Sequence, residues 1–234
     1  MKFLIINADD CGYGSGVTRA IAELHDQGVV TSASLMVNTP STAEGVAMAA
    51  ARPRLSLGLH VNFTNEGQRL VDFDDPEVCR RELRRQFDLF VALTGGLPTH
   101  LDSHQHVHRR PGCRASFLEL ALEHDLPLRD RAPVTFKGEF YGQWEHGVSR
   151  REKVSFEALS NIVSTELRHG IYELAVHPGY HDAAADYVYH QDREWERATL
   201  SDPRLPALLR DQAVGLINYH DLKRAVTCLD GGAA

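Results

Sequence analysis

Phe3-Leu4-Ile5-Ile6-Asn7-Ala8-Asp9-Asp10 opens the chain with a short apolar run that ends in two adjacent carboxylates. Such a run, bounded by polar residues, reads as a buried strand from Phe3 to Asn7. The same pairing of a strand-like run with an Asp or His recurs further on. Leu55 to His60 ends in His60, and Thr99 to Ser103 runs into His104-Gln105-His106-Val107-His108. Ile171 to Val176 runs into His177-Pro178-Gly179. Parallel α/β folds collect ligand-binding and catalytic groups at the carboxyl ends of their strands, because loops from different strands converge there. Four strands delivering Asp or His to that edge point to one shared site.

The intervening stretches are amphipathic. Val17, Ile21 and Leu24 mark a helix ending near Gly28, and Thr42 to Ala51 is a small-residue helix after a second strand, Val29 to Val37. Pro76 begins a helix that buries Val78, Leu83, Phe87, Phe90 and Val91 on one face. Helices are also expected around Phe117 to Leu122, Phe156 to Leu167 and Leu222 to Val226. Further strands are expected at Leu126 to Arg129 and Val214 to Tyr219. Arg131 to Lys153, rich in Gly, aromatics and charge without periodicity, is expected to be a long loop. The alternation predicts β/α units around a parallel sheet. With no repeat or linker in sight, it predicts one domain over residues 1–234.

Composition narrows the function. The 234 residues are 43% hydrophobic and 24% charged, an ordinary globular balance. The formal charge of -7 excludes nucleic acid and an anionic membrane as partners, since both need clustered Lys and Arg. Arg80-Arg81 and Arg84-Arg85 sit beside acidic residues at helical spacing, as a solvated face does. Cys11, Cys79, Cys113 and Cys228 form no CxxC pair, which suits reduced thiols in the cytoplasm. No stretch approaches the ~20 apolar residues of a membrane helix.

Each site element has a bland reading. Asp9-Asp10 could cap the next helix, His60 could be a hydrogen-bonded core histidine, the histidine run a solvated loop, and His177-Pro178 simple turn chemistry. Together they favour a divalent metal site, because imidazoles and one carboxylate suit Zn²⁺ or a similar ion. In an extended segment His104, His106 and His108 would share a side with alternate Cα atoms roughly 6.6 Å apart, so spacing leaves the ligand among them open. On a regular strand Asp9 and Asp10 cannot point the same way; one can bind metal while the other takes protons.

Several longer stretches resemble the YdjC-like carbohydrate deacetylases, distant relatives of the polysaccharide deacetylases. They are Ile6-Asn7-Ala8-Asp9-Asp10-Cys11-Gly12-Tyr13-Gly14, Gly28 to Ser34, Gly58-Leu59-His60-Val61-Asn62-Phe63-Thr64, Pro98 to His108 through Leu101-Asp102-Ser103-His104, and His177-Pro178-Gly179. Tyr219-His220-Asp221-Leu222 is a weaker closing match. The resemblance implies a distorted seven-stranded (β/α) TIM-like barrel and one divalent metal ion, Mg²⁺ or Zn²⁺. It implies Asp10, His60 and His104 as metal ligands, Asp9 as general base and His177 as general acid. The implied reaction removes the N-acetyl group from an acetylated amino sugar or chitooligosaccharide and releases acetate; a homodimer is implied by analogy. Cys11 stands where the family often has Phe, and the loop between Thr64 and Pro76 is abbreviated.

Supporting roles stay open at this point. Asp102 either hydrogen-bonds a ligand histidine or caps the turn. Arg129 either binds substrate, orients Asp9 or forms a surface ion pair. Tyr141 and Trp144 either stack on sugars or pack the loop down. Two rival functions stay open as well: a metal-dependent hydrolase of another amide or ester on the same barrel, and a non-catalytic sugar- or metal-binding protein.

Overall fold

The opening strand β1 (Lys2–Cys11) buries nearly its whole length, as a central strand covered on both faces must. Its side chains divide by parity. Leu4, Ile6 and Ala8 join the main core with the helices, whereas Ile5 joins a smaller apolar cluster and Asn7 and Asp9 carry that inner face upward into polar contacts. In the computed structural model, which describes residues 1–65, 68–145, 147–182 and 189–231, β1 is followed by α1 (Ser15–Asp26), β2 (Ser32–Leu35), α2 (Thr42–Ala50) and β3 (Ser56–Val61). The abbreviated loop holds a small antiparallel pair, β4 (Thr64–Asn65) and β5 (Gln68–Arg69), with residues 66–67 outside the described residues. Then come α3 (Pro76–Thr94), β6 (Leu101–Ser103), a 3₁₀ segment (His104–Arg109) and α4 (Pro111–Glu123). The chain continues through β7 (Val134–Lys137), α5 (Phe156–Asn161), β8 (Gly170–Val176), α6 (His190–Leu200), α7 (Leu205–Asp211), β9 (Val214–Leu216) and α8 (Leu222–Asp230).

The main sheet runs β6-β3-β2-β1-β8-β7, every neighbouring pair parallel, with β9 as a seventh strand beside residues 2–4 of β1. Curled with helices outside, it is the expected distorted seven-stranded (β/α) barrel. Pro76 opens α3 as expected, between two further local signals. Asp75 caps its first turn by accepting from the amides of Glu77 and Val78, Pro76 takes the first helical position, and Gly95 closes it at φ 74°.

Two expectations need correction. The strand foreseen at Leu126 to Arg129 is one parallel bridge, Leu128 to Leu101. The stretch from Arg131 to Lys153 is not all loop: β7 lies within it and pairs with β8. Four residues with buried Val134 were too few, amid glycines and charges, to show a strand period. Helices α6 and α7 also went unassigned; α6 carries charged residues on its buried side.

Gly58 in β3 shows how tightly the barrel interior is filled. A Cβ there would meet the His100 ring at 2.3 Å. That ring is pinned by Ser34 Oγ and Thr99 Oγ1, each at 3.0 Å, and by Tyr219 stacked 3.9 Å away. Gly58→Ala is therefore expected to cost about 1–3 kcal/mol by overpacking, against less than about 0.5 kcal/mol for Gly96→Ala, whose added Cβ meets open space. Urea unfolding of both variants checks this; equal midpoints would show that the ring yields.

Candidate active site

The carboxyl edge of the sheet opens into a cavity of about 270 Å³. Asp9, Asp10, His60, His104 and His177 all line it. Adjacent Asp9 and Asp10 both reach it because β1 ends irregularly. Its register with β2 shifts between Ala8 and Cys11, and Asp10 takes the left-handed conformation at φ 65°. Asp tolerates that conformation better than most residues, at a cost of roughly 1–2 kcal/mol. The rule that neighbouring side chains alternate holds on a regular strand, and this strand end is not regular.

The histidine run is not extended either. It forms a 3₁₀ segment broken at Gln105 and His106, both at φ near +50°. That fold separates the three imidazoles. His104 Nδ1 lies 3.0 Å from Asp10 Oδ1. His106 turns into the cavity wall edge-on to Phe136. His108 folds back onto Ser103 Oγ at 2.6 Å and Asp130 at 3.3 Å.

His60 completes a three-residue group. Its Nε2 lies 3.2 Å from Asp10 Oδ1, and one atom each from Asp10, His60 and His104 fall within 4.8 Å of one another. Donor atoms about 2.1 Å from one ion at tetrahedral angles stand roughly 3.4 Å apart, so the residues fit a small divalent cation. His104 Nε2 is buried without a partner among the described residues. A second group, Asp9, His60 and Asp102, is equally close, but Arg129 already pairs with both of its carboxylates.

Behind the cavity lies a buried charge cluster. His60 Nδ1 sits 2.7 Å from Asp102 Oδ1, its direct neighbour across the β3–β6 register. Asp102 also accepts from Ser34 Oγ at 2.6 Å. Arg129 donates to both oxygens of Asp9 at 2.7 Å each and to Glu173 at 2.6 and 2.9 Å, and it lies 2.7 Å from Asp102. At 2% exposure it is no surface pair. Asn7 steadies Asp9 Oδ1 at 2.8 Å. Burial opposes charge throughout, yet Arg129 keeps the Asp9 carboxyl below its usual range, and Arg193 with His104 holds Asp10 well below it. Burial alone would also neutralise His60, but Asp102 and Asp9 raise it to about 10. At His177 Asp9 and Asp10 offset only part of the same penalty, and burial lowers it to about 4.

Reading the sequence missed the contribution of α6. Arg193, 3% exposed, donates to Asp10 Oδ2 at 2.6 Å. Glu196 accepts the His177 amide and the Tyr189 hydroxyl, the latter at 2.7 Å, and burial pushes its carboxyl up to about 8. Neither residue sits in a motif; a helix so rich in charge reads as solvated. Glu173 was missed for a different reason, since one Glu inside an apolar strand looks incidental. Tyr141 lines the cavity and stacks on Tyr189 at 4.7 Å, whereas Trp144 is 58% exposed.

Residues 3–211 match the sequence profile of the family described as YdjC-like protein. The chain belongs to that family. A carbohydrate deacetylase of Geobacillus stearothermophilus is 33% identical over 250 residues, covering 94% of this chain and 98% of its own. A carbohydrate deacetylase of Brevibacillus brevis is 31% identical, covering 94% and 99%. Among solved structures, a protein of Enterococcus faecalis V583 provisionally named for cellobiose-phosphate cleavage superposes with a TM-score of 0.79 at 26% identity, covering 94% of this chain and 98% of that one. The YdjC-like chain thus matches these relatives along nearly its whole length.

Two outcomes follow. Arg129→Met leaves Asp9, Asp102 and Glu173 buried without their cation, and is expected to cost about 3–5 kcal/mol by denaturant unfolding; a loss under 1 kcal/mol would show the cluster to be dispensable. His100 and His177 are both lowered from 6.5 to about 4, by burial first of all. The unfolded chain takes up these protons near pH 6.5 and the folded chain only near 4, so their contribution is complete above 6.5 and is lost as pH falls toward 4. Thermal midpoints should drop across that window and drop less steeply in His100→Gln; an unchanged slope would remove His100 from this account.

Proposed function

We propose that the chain is a metal-dependent carbohydrate deacetylase that removes the N-acetyl group of an acetylated amino sugar or chitooligosaccharide and releases acetate. The observation that carries this reading is the convergence of Asp10, His60 and His104 on a cavity that also presents Asp9 and His177. Relatives named carbohydrate deacetylase, matched end to end, support it.

Asp10, His60 and His104 are the proposed ligands of one divalent ion, Mg²⁺ or Zn²⁺. Such an ion polarises an amide carbonyl and lowers the pKa of water from ~15.7 toward ~7. Asp102 holds His60 Nδ1 at 2.7 Å and so turns Nε2 toward Asp10. Asp9, gripped by Arg129 and Asn7, accepts the proton of the attacking water. His177 gives a proton to the departing amine. Because burial keeps its ring neutral, that proton arrives during turnover, and Asp9 Oδ2 at 3.8 Å from Nε2 is the group placed to pass it on. Phe136, Tyr141 and Tyr189 give the cavity apolar walls suited to a sugar ring. We place the protein in the cytoplasm on a cysteine usage without a CxxC pair; among the described residues no helix is long and apolar enough to cross a membrane.

The test is acetate release from N-acetylglucosamine oligomers by the purified chain. A chelator should abolish release and an added divalent ion restore it, and Asp9→Asn should lose at least roughly 10²-fold in kcat. Turnover that survives chelation, or survives in Asp9→Asn, defeats the mechanism.

A further inference from the structure

None of the four cysteines lines the candidate active site, yet two of them meet elsewhere. Cys79 lies in the first turn of α3 and Cys113 in the first turn of α4. The two helices run side by side in the same direction. Arg80 lies 3.6 Å from Glu119, and one turn further on Arg84 donates to Glu123 at 2.8 Å. At the start of both helices the sulfur atoms of Cys79 and Cys113 are 2.7 Å apart. Non-bonded carbon atoms, smaller than sulfur, rest ~3.5–4.0 Å apart, whereas a disulfide bond spans ~2.05 Å.

The pair is enclosed. Both residues are 0% exposed and belong to the main core. Cys113 Sγ donates to the Phe73 carbonyl at 3.6 Å, and a Cβ at Gly112 would meet that carbonyl at 2.5 Å. The start of α4 is thus packed onto the chain leading into α3. Cys11 lies in β1 and Cys228 is exposed on α8, which leaves Cys79 and Cys113 as partners for each other. Burial pushes both thiols above their ordinary range, and the thiolate is the form that attacks a disulfide. The closed core therefore keeps the pair in whichever state it holds. Exchange belongs to folding, or to local opening of the two helix starts, when the sulfurs reach solvent.

We propose that Cys79 and Cys113 are a redox pair that closes into a disulfide by exchange with a small-molecule disulfide such as oxidised glutathione, stapling α3 to α4 at their first turns. One cysteine thiolate attacks a glutathione sulfur, the glutathione S–S bond breaks, and one glutathione leaves as its thiolate. The other cysteine attacks the mixed disulfide at the protein sulfur and expels the second glutathione. The protein loses two electrons and two protons, which end on the two glutathione thiols. A reducing cytoplasm holds the pair as thiols, so the bridge marks oxidising conditions. It spans a separation of 34 residues and stands at the foot of the His104–Arg109 segment, which carries His104 and His106 to the cavity.

The experiment uses the full chain, reduced and unfolded in urea, then refolded with oxidised or with reduced glutathione. A second sample, never unfolded, is held with oxidised glutathione in urea below the unfolding transition, so that poor refolding still leaves an answer. Remaining thiols are then alkylated under denaturing conditions. Peptide masses should show Cys79 joined to Cys113 in the oxidised samples, with neither Cys11 nor Cys228 in the bridge. The thermal midpoint of the bridged chain should lie about 5–10 °C above that of the reduced chain. That difference between oxidised and reduced samples should vanish in Cys79→Ala and, separately, in Cys113→Ala. Alkylated Cys79 and Cys113 in both oxidised samples, or either of them joined to another cysteine, overturns the pair. A bridge that leaves the midpoint unchanged overturns the staple.

Discussion

The arrangement of the barrel's upper half depends on one guanidinium. Arg129 reaches carboxylates from β1, β6 and β8 at once, so it ties β6, at one end of the sheet order, to the paired strands β1 and β8. Three carboxylates around one cation leave excess negative charge among fully buried side chains. Burial answers part of that excess by raising Glu173, whose second oxygen accepts from Tyr219 at 2.8 Å. His60 answers another part, since the carboxylates beside it favour its charged form. Charges this deep interact several-fold more strongly than surface pairs, and removing one partner is costly because the others cannot reach solvent.

That excess negative charge continues to the cavity floor, where Asp10 faces two imidazoles. A proton on His60 supplies the balance when nothing else does. Under the proposed function a divalent ion supplies it instead, and its binding would release that proton, coupling occupancy to pH. Under that proposal the Arg129 guanidinium that depresses Asp9 also keeps it ionised across the neutral range, so its value as a base would lie in position rather than in basicity.

The strand ends were the legible part of the sequence. A short apolar run followed by Asp or His carries two signals at once, a period and a chemistry, and Asp9, Asp10, His60, His104 and His177 do line one cavity. Illegible were the features that depend on local backbone rather than residue type. The left-handed turns at Asp10, Gln105 and His106 have no glycine to announce them, yet they bring two adjacent aspartates to one cavity and leave His104 alone of its run beside Asp10. Strain of this kind persists only where surrounding contacts over-determine it. Here those contacts are Arg193 on one oxygen of Asp10 and the two histidines on the other.

Helix α6 extends the point, because its charged residues were the least readable and are among the most buried. Arg193 ties the helix to Asp10 and approaches the His177 carbonyl at 3.4 Å. Its own carbonyl accepts the Gly179 amide at 3.2 Å, and three residues on, Glu196 takes the amide of His177. One face of one helix thus holds both the end of β1 and the loop after β8. A solvated helix with the same composition would show the same sequence. Only the depth of Arg193 and Glu196 in the fold, 3% and 0% exposed, separates a positioning element from a surface one. Through the Arg193 bond to Asp10 and the Glu196 bond to the His177 amide, α6 positions groups that line the cavity.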